Sequence, residues 1–182
     1  MVSPPKILLT TSRNPTLGIR TFCNDLAHVL PSLLRVNRGK MSADEVAEKA
    51  LEYDAERVVI VDRWHGGWGS IKFFQVDESG LVSVPPVIHI ASMRLRREFG
   101  VSGVKPALSL AVSEQSAKVL MAADALSRFF GIPLLSSNET IESGSTVMYV
   151  SVDMSNKIVI TFMVVPNEVE VGPRIAVSRM EW

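Results

Sequence analysis

Ile7-Leu8-Leu9-Thr10-Thr11-Ser12 opens the chain with a short apolar run that ends on a serine. Leu108-Ser109-Leu110-Ala111-Val112-Ser113 does the same about a hundred positions later. After each comes a helix-patterned stretch, and then a proline that leads into a second apolar run: Leu30-Pro31-Ser32-Leu33-Leu34 in the first case, Ile132-Pro133-Leu134-Leu135 in the second. Strand, serine at the helix entry, helix, proline and strand thus occur twice in one order. A repeat on this scale predicts an α/β unit duplicated and fused, with two similar halves and a seam between them where a partner can bind.

Working outward, the first helix is expected over Leu17–Leu30, with apolar residues at Leu17, Phe22, Leu26, Val29 and Leu30. Thr16 is its expected N-cap, because a hydroxyl there accepts one of the free amides of the first turn. Ser42-Ala43-Asp44-Glu45 has the form of a capping box and opens a second helix to about Tyr53. Val58–Asp62 and Ser70–Val76 read as strands about the turn His65-Gly66-Gly67-Trp68-Gly69. A strand from Leu81 is expected to break at Pro85-Pro86 and resume over Val87–Met93. In the second half, a helix over Glu114–Phe130 should stop at Gly131, a residue suited to the left-handed position after a helix. Thr146–Asp153 and Lys157–Val165 form a hairpin about Ser155-Asn156, and Val169–Arg179 is a last strand interrupted at Gly172-Pro173. The polar stretch Ser136–Gly144 offers no counterpart of the second helix.

Composition sets bounds. The chain has 182 residues, is 47% hydrophobic and has a single cysteine, Cys23, which rules out an internal disulfide. Its longest apolar run, near Ile158–Val165, is too short for a membrane span. No secretory signal is visible, so the Asn138-Glu139-Thr140 sequon carries little weight and a cytoplasmic protein is expected. The net charge is zero, but residues 1–105 carry a net +3 and residues 106–182 a net −3. The first 43 residues hold six bases, Lys6, Arg13, Arg20, Arg35, Arg38 and Lys40, against one acid, Asp25. Such polarity fits either a face for an anionic partner or a solvated surface.

Catalytic signatures are missing from the sequence. The three histidines, His28, His65 and His89, show no metal-ligand spacing, and no nucleophile elbow accompanies Asp62 and His65. Gly66-Gly67-Trp68-Gly69 lacks the Gly-Lys-Ser/Thr ending of a phosphate loop and lies between strands; it reads as a hairpin turn needing positive φ. Trp68, if exposed, is free to stack on a base or on a protein. No cofactor, metal or small-molecule substrate is expected.

The opening Thr10-Thr11-Ser12-Arg13-Asn14-Pro15-Thr16 and the closing Glu170-Val171-Gly172-Pro173-Arg174 together resemble the Brix domain family. That family runs from such an opening into a helix with Phe and Asp-Leu, here Phe22 and Asp25-Leu26. A Leu-Pro step follows, Leu30-Pro31, and then a basic stretch, Arg35, Arg38 and Gly39-Lys40. Gly172-Pro173-Arg174-Ile175-Ala176-Val177 is similar to its closing strand. The likeness covers nearly the whole chain. Where many eukaryotic members carry Gly-Pro-Thr, this chain has Ser83-Val84-Pro85-Pro86-Val87, and without long charged extensions it is similar to the short archaeal form.

The resemblance implies one Brix domain over residues 1–182, with halves of about 6–100 and 104–182, each similar to the anticodon-binding domain of class IIa aminoacyl-tRNA synthetases. It implies a non-catalytic role in ribosome biogenesis and rRNA processing, with precursor rRNA and ribosome assembly proteins as partners. The expected RNA face comprises Arg13, Arg20, Arg35, Arg38 and Lys40, extended by Lys72 or by the connector arginines Arg94, Arg96 and Arg97, with Arg174 also a candidate. The alternative is a protein-interaction scaffold in a ribonucleoprotein with little direct RNA contact.

Overall fold

A computed structural model describes residues 4–64, 67–136 and 139–182, and of Trp64 only the backbone. The first strand, β1 (Ile7–Thr11), is followed by α1 (Leu17–Val29), β2 (Leu33–Arg35), α2 (Ala43–Glu52), β3 (Arg57–Trp64), β4 (Gly67–Asp77) and β5 (Gly80–Arg94). After a short 3-10 turn come β6 (Ala107–Val112), α3 (Ala117–Phe130), β7 (Thr146–Val152), β8 (Ile158–Val164), β9 (Val169–Glu170) and β10 (Arg174–Glu181). All strands join one mixed sheet in the order β2-β1-β3-β4-β5-β10-β8-β7-β6, with β9 continuing the edge of β8.

The two sides of that sheet run alike. β1 lies parallel to β2 and β3, and β3, β4 and β5 then alternate in direction. β6 lies parallel to β7 and bridges in parallel to Leu134, and β7, β8 and β10 then alternate. The antiparallel pair β5–β10 joins the sides. The serine after each first strand has the same partner: the Ser12 amide donates to the Val61 carbonyl at 3.0 Å, and the Ser113 amide to the Val150 carbonyl at 3.1 Å. The buried faces of the helices also correspond. Ile19, Phe22, Cys23, Leu26 and Val29 of α1 match Val119, Ala122, Ala123, Leu126 and Phe129 of α3, each one hundred positions on.

The helix ends follow sequence chemistry. The Thr16 hydroxyl accepts from the Ile19 amide, and Ser42 and Glu45 form the reciprocal capping box. Gly131 takes a left-handed conformation, φ 66°, and closes α3. α3 starts at Ala117, three residues later than the sequence predicts, because Ser113 is still engaged with β7 and the chain must turn off the sheet before it coils. The predicted break at Pro85-Pro86 does not occur. β5 is continuous, and the prolines sit opposite a register shift between Ile71 and Phe73, where missing amides are tolerated.

α1 and α3 cover one face of the sheet in a shared core with Ile7, Leu9, Val59, Phe73, Met148, Phe162 and Ile175. α2 covers the opposite face of the first half only, over Leu8, Val58 and Ile60. Burial pushes the Cys23 thiol up to about 12, outweighing the nearby Arg35 cation, which marks it as a core residue. No helix among the described residues is long and apolar enough to cross a membrane.

The carboxyl end of α3 ties the halves together. Phe129 and Phe130 stand edge-on to Phe73 of β4 at centroid distances of 4.7 and 6.0 Å. Arg57 of β3 donates through Nη1 to the carbonyls of Arg128 at 3.0 Å and Phe129 at 2.5 Å, satisfying groups a helix end leaves open. Phe73→Ala removes the ring on which both phenylalanines pack and should cost about 3–5 kcal/mol. Urea unfolding will check this, with exposed Leu17→Ala as a control expected to change stability by under about 0.5 kcal/mol.

Candidate nucleic-acid interface

β1 is the point at which the first half divides. The connection through α1 leaves it on one face of the sheet, and the connection through α2 returns on the other. The loops after β1 and β2 therefore diverge, and a crevice opens beyond the carboxyl ends of the strands, where open α/β sheets commonly take ligands. Here the crevice has a volume of about 360 Å³, and its lining includes Asn14, Arg20, Arg35, Arg38 and Lys40.

Each of the three parallel strands delivers a polar residue and an arginine to this end: Ser12-Arg13 after β1, Asn37-Arg38 after β2 and Asp62-Arg63 near the end of β3. Arg38 is held from inside, with Nε donating to the Met41 carbonyl at 2.8 Å and Nη1 to the Thr11 carbonyl at 3.1 Å. It therefore fixes the loop after β2 against the end of β1. Burial lowers the Arg38 pKa below its ordinary value, and the neighbouring Arg13 cation lowers it further, against the opposing pull of Asp62. Arg13 is near enough to Arg38 to act on its charge but is not among the residues that line the crevice. Arg13, Arg20 and Lys40 are exposed, whereas Arg35 is half-buried with its Nε out of contact with water and without a hydrogen-bond partner.

Arg63, which sequence reasoning passed over, belongs to the same rim. Its Nη1 donates to the Asn14 carbonyl at 3.3 Å, and its amide to the Ser12 hydroxyl at 3.1 Å. The available signal was its place at the end of the third parallel strand, in step with Arg13 and Arg38.

The other predicted cations lie elsewhere. Lys72 on β4 pairs with Asp62 at 2.7 Å. Arg94 stacks its guanidinium 4.5 Å from the Phe99 ring centroid, and the Arg96 amide donates to Asp25 at 2.9 Å. Burial raises the Asp25 carboxyl above its ordinary range, against the Arg96 amide and the cations of Arg96, His28 and Arg97. Arg97 is exposed on the connector. Arg174 lies opposite Arg94 on the seam and pairs with Glu170 at 3.2 Å. These five do not line the crevice.

Of the glycine-rich turn, residues 65 and 66 lie outside the described residues, so the proximity of Asp62 and His65 is not defined; the Asn138 sequon falls outside them too. Gly69 has φ 94°, and a Cβ there would meet the Asp62 carbonyl oxygen at 1.8 Å, so this position needs glycine. Among the described residues no group of three or more His, Cys, Asp or Glu side chains could hold a metal ion.

Asp62 braces the crevice from the side of β3. Burial alone would raise its carboxyl, but Lys72, the Ser12 hydroxyl and the Arg63 amide together hold it below the ordinary carboxylate range. Its stabilising contribution is therefore complete above the unfolded-state value of about 3.9 and is lost as the pH falls through the lower folded-state value. Asp62→Asn should cost about 1 kcal/mol at neutral pH, solvent screening at this partly exposed site included. In denaturant unfolding across pH, the gap between variant and parent should close in acid below that range.

No family model matches the chain. A "Probable Brix domain-containing ribosomal biogenesis protein" of Pyrococcus abyssi is 32% identical over 102 residues, which cover 55% of this chain and 44% of that relative. The match thus spans under half the length of that curated relative. A protein of the same name from Pyrobaculum aerophilum is 28% identical over 138 residues, 75% of this chain and 74% of the relative. Among solved structures, a probable ribosomal biogenesis protein from Aeropyrum pernix superposes with a TM-score of 0.77 at 24% identity, covering 98% of this chain and 99% of that one. An archaeal Imp4-like protein named Mil superposes at 0.67 with 21% identity, covering 96% and 98%.

Proposed function

We propose that this chain, a relative of archaeal Brix domain-containing ribosomal biogenesis proteins, binds precursor rRNA during ribosomal subunit assembly without catalysing a reaction. The observation that carries this reading is the crevice at the ends of β1 and β2. There Arg20, Arg35, Arg38 and Lys40 converge, with Arg13 near enough to Arg38 to act, together with burial, against its charge. A string of phosphates is the anion such a line of cations suits, and contacts of this kind position RNA without reading its sequence. Ribosome assembly proteins are the further partners, and a cytoplasmic location goes with the role.

Residues 1–182 are read as a single Brix domain made of two copies of one α/β unit, of the kind found in class IIa anticodon-binding domains. The matching strand order, the paired hydrogen bonds of Ser12 and Ser113 and the common spacing of the α1 and α3 core residues support that reading. The copies differ in charge. Where the first carries Ser12-Arg13, the second carries Ser113-Glu114, so RNA contact belongs to the first half, extended along the connector by Arg97. Lys72, Arg94 and Arg174 act mainly through side-chain partners within the chain, and Arg96 holds Asp25 through its backbone amide. The scaffold reading rests on the acidic second half, whose net charge of −3 disfavours RNA.

The test must spare Arg38, which holds the fold locally. Arg13→Glu/Arg20→Glu/Lys40→Glu changes three exposed side chains. Arg20 sits in the first turn of α1, where an acid is preferred to a base, so stability should hold. Binding to a single-stranded rRNA fragment should weaken for every sequence tried. The slope of log affinity against log salt should flatten by about 0.7 for each phosphate that the variant no longer neutralises. An unchanged slope together with salt-insensitive capture of an assembly protein would favour the scaffold.

A further inference from the structure

Trp68 packs on the first turn of the helix that carries Arg20 into the cationic crevice. It stands near the start of β4, on the hairpin whose rim arginine, Arg63, is bonded to the Asn14 carbonyl. Its ring packs on the first turn of α1: a Cβ added to Gly18 would meet Trp68 Cζ3 at 3.6 Å and the Thr16 hydroxyl at 3.9 Å. One edge of the indole is thus held by the helix that also carries Arg20 into the crevice, while 37% of the residue stays open to solvent. Leu17, next along the helix, is 77% exposed.

The counterpart of Gly18 in α3 is Lys118, whose ammonium bonds to the backbone carbonyl and side chain of Asn156 in the β7–β8 turn. There the hairpin is tied to the helix by polar contacts, Met154 is the exposed apolar residue of the turn, and the exposed Trp182 shares a pocket with Lys118 and Asn156. In the first half the glycine clears the same ground for an aromatic face, on the hairpin whose Arg63 is bonded to the carbonyl of the crevice-lining Asn14. A flat π surface beside a line of phosphate-binding cations is the combination by which proteins hold unpaired nucleic acid, because bases in a duplex present no free face.

We propose that the first-half crevice takes a single-stranded RNA segment, with one base stacked on Trp68 and the adjoining phosphates on Arg13, Arg20 and Lys40. This deepens the RNA-binding reading and rests on it. Stacking contributes an affinity that salt does not screen, so it separates cleanly from the phosphate contacts.

The test uses the full chain carrying Trp64→Phe and Trp182→Phe, so that Trp68 is the fluorophore. Oligoadenylate should quench its emission, and an RNA duplex of equal length should not. Trp68→Ala should lower affinity for the single strand about tenfold or more while leaving the salt slope unchanged. Trp68→Leu, which keeps an apolar contact with Gly18 but has no π face, should bind as weakly as the alanine variant, and Trp68→Phe should recover most of the affinity. Unquenched Trp68 with bound oligoadenylate, or leucine and alanine variants that bind like the parent, would overturn the stacking proposal while leaving the phosphate crevice intact. A parent that binds neither single strand nor duplex at low salt would overturn both.

Discussion

The need to pair both edges of β1 governs the first half. β1 is buried on both faces, and its backbone is satisfied by a parallel neighbour on each side, β2 and β3. A parallel neighbour requires a crossover. The two crossovers take α1 to one face and α2 to the other, with Ile7 and Leu9 packing in one core and Leu8 in the second. Once the connections part, the crevice beyond Thr11 follows from the topology. What the sequence adds is its charge: an arginine two residues past β1, another three past β2, and a third within the end of β3.

The second half distributes its strands and its helix differently. β6 also has parallel neighbours, but one is reduced to the bridge at Leu134. The weight of that half falls instead on α3, whose Phe129 and Phe130 reach across to Phe73 and whose terminal carbonyls are met by Arg57. α1 places its bulk at Phe22 where α3 has Ala122, while α3 places it at Phe129 where α1 has Val29. The two helices therefore fill a common core unequally. The contacts of α3 with Phe73 and Arg57 join the second half to the first.

Local rules wrote the helices into the sequence. Thr16, Ser42 with Glu45, Pro31 and Gly131 mark their ends through side-chain and backbone chemistry that acts within a few residues. Strand runs such as Ile7–Thr11 are equally plain because both faces are buried. Long-range pairing was hidden. Nothing near Pro85-Pro86 shows that the partner strand shifts register to accommodate it, and nothing near Ser113 shows that β7 delays the start of α3. The cations of the first 43 residues were visible as a group, but their division of labour was not. Arg38 is a brace because Thr11 and Met41 offer it carbonyls, and Arg63 joins the rim because β3 ends beside β1. Gly18 and Trp68, fifty positions apart, meet only in the folded sheet.

Ultraviolet crosslinking of the intact protein to single-stranded rRNA, followed by mass spectrometry of the crosslinked peptides, tests the central claim most directly. Crosslinks should concentrate on the peptides holding Arg13 to Arg20, Arg35 to Lys40 and the β3–β4 hairpin, and should spare Ser113 to Ser116 and Asp153 to Lys157. Crosslinks spread equally over both halves, or gathered on the second, would contradict a phosphate-binding crevice at the end of β1.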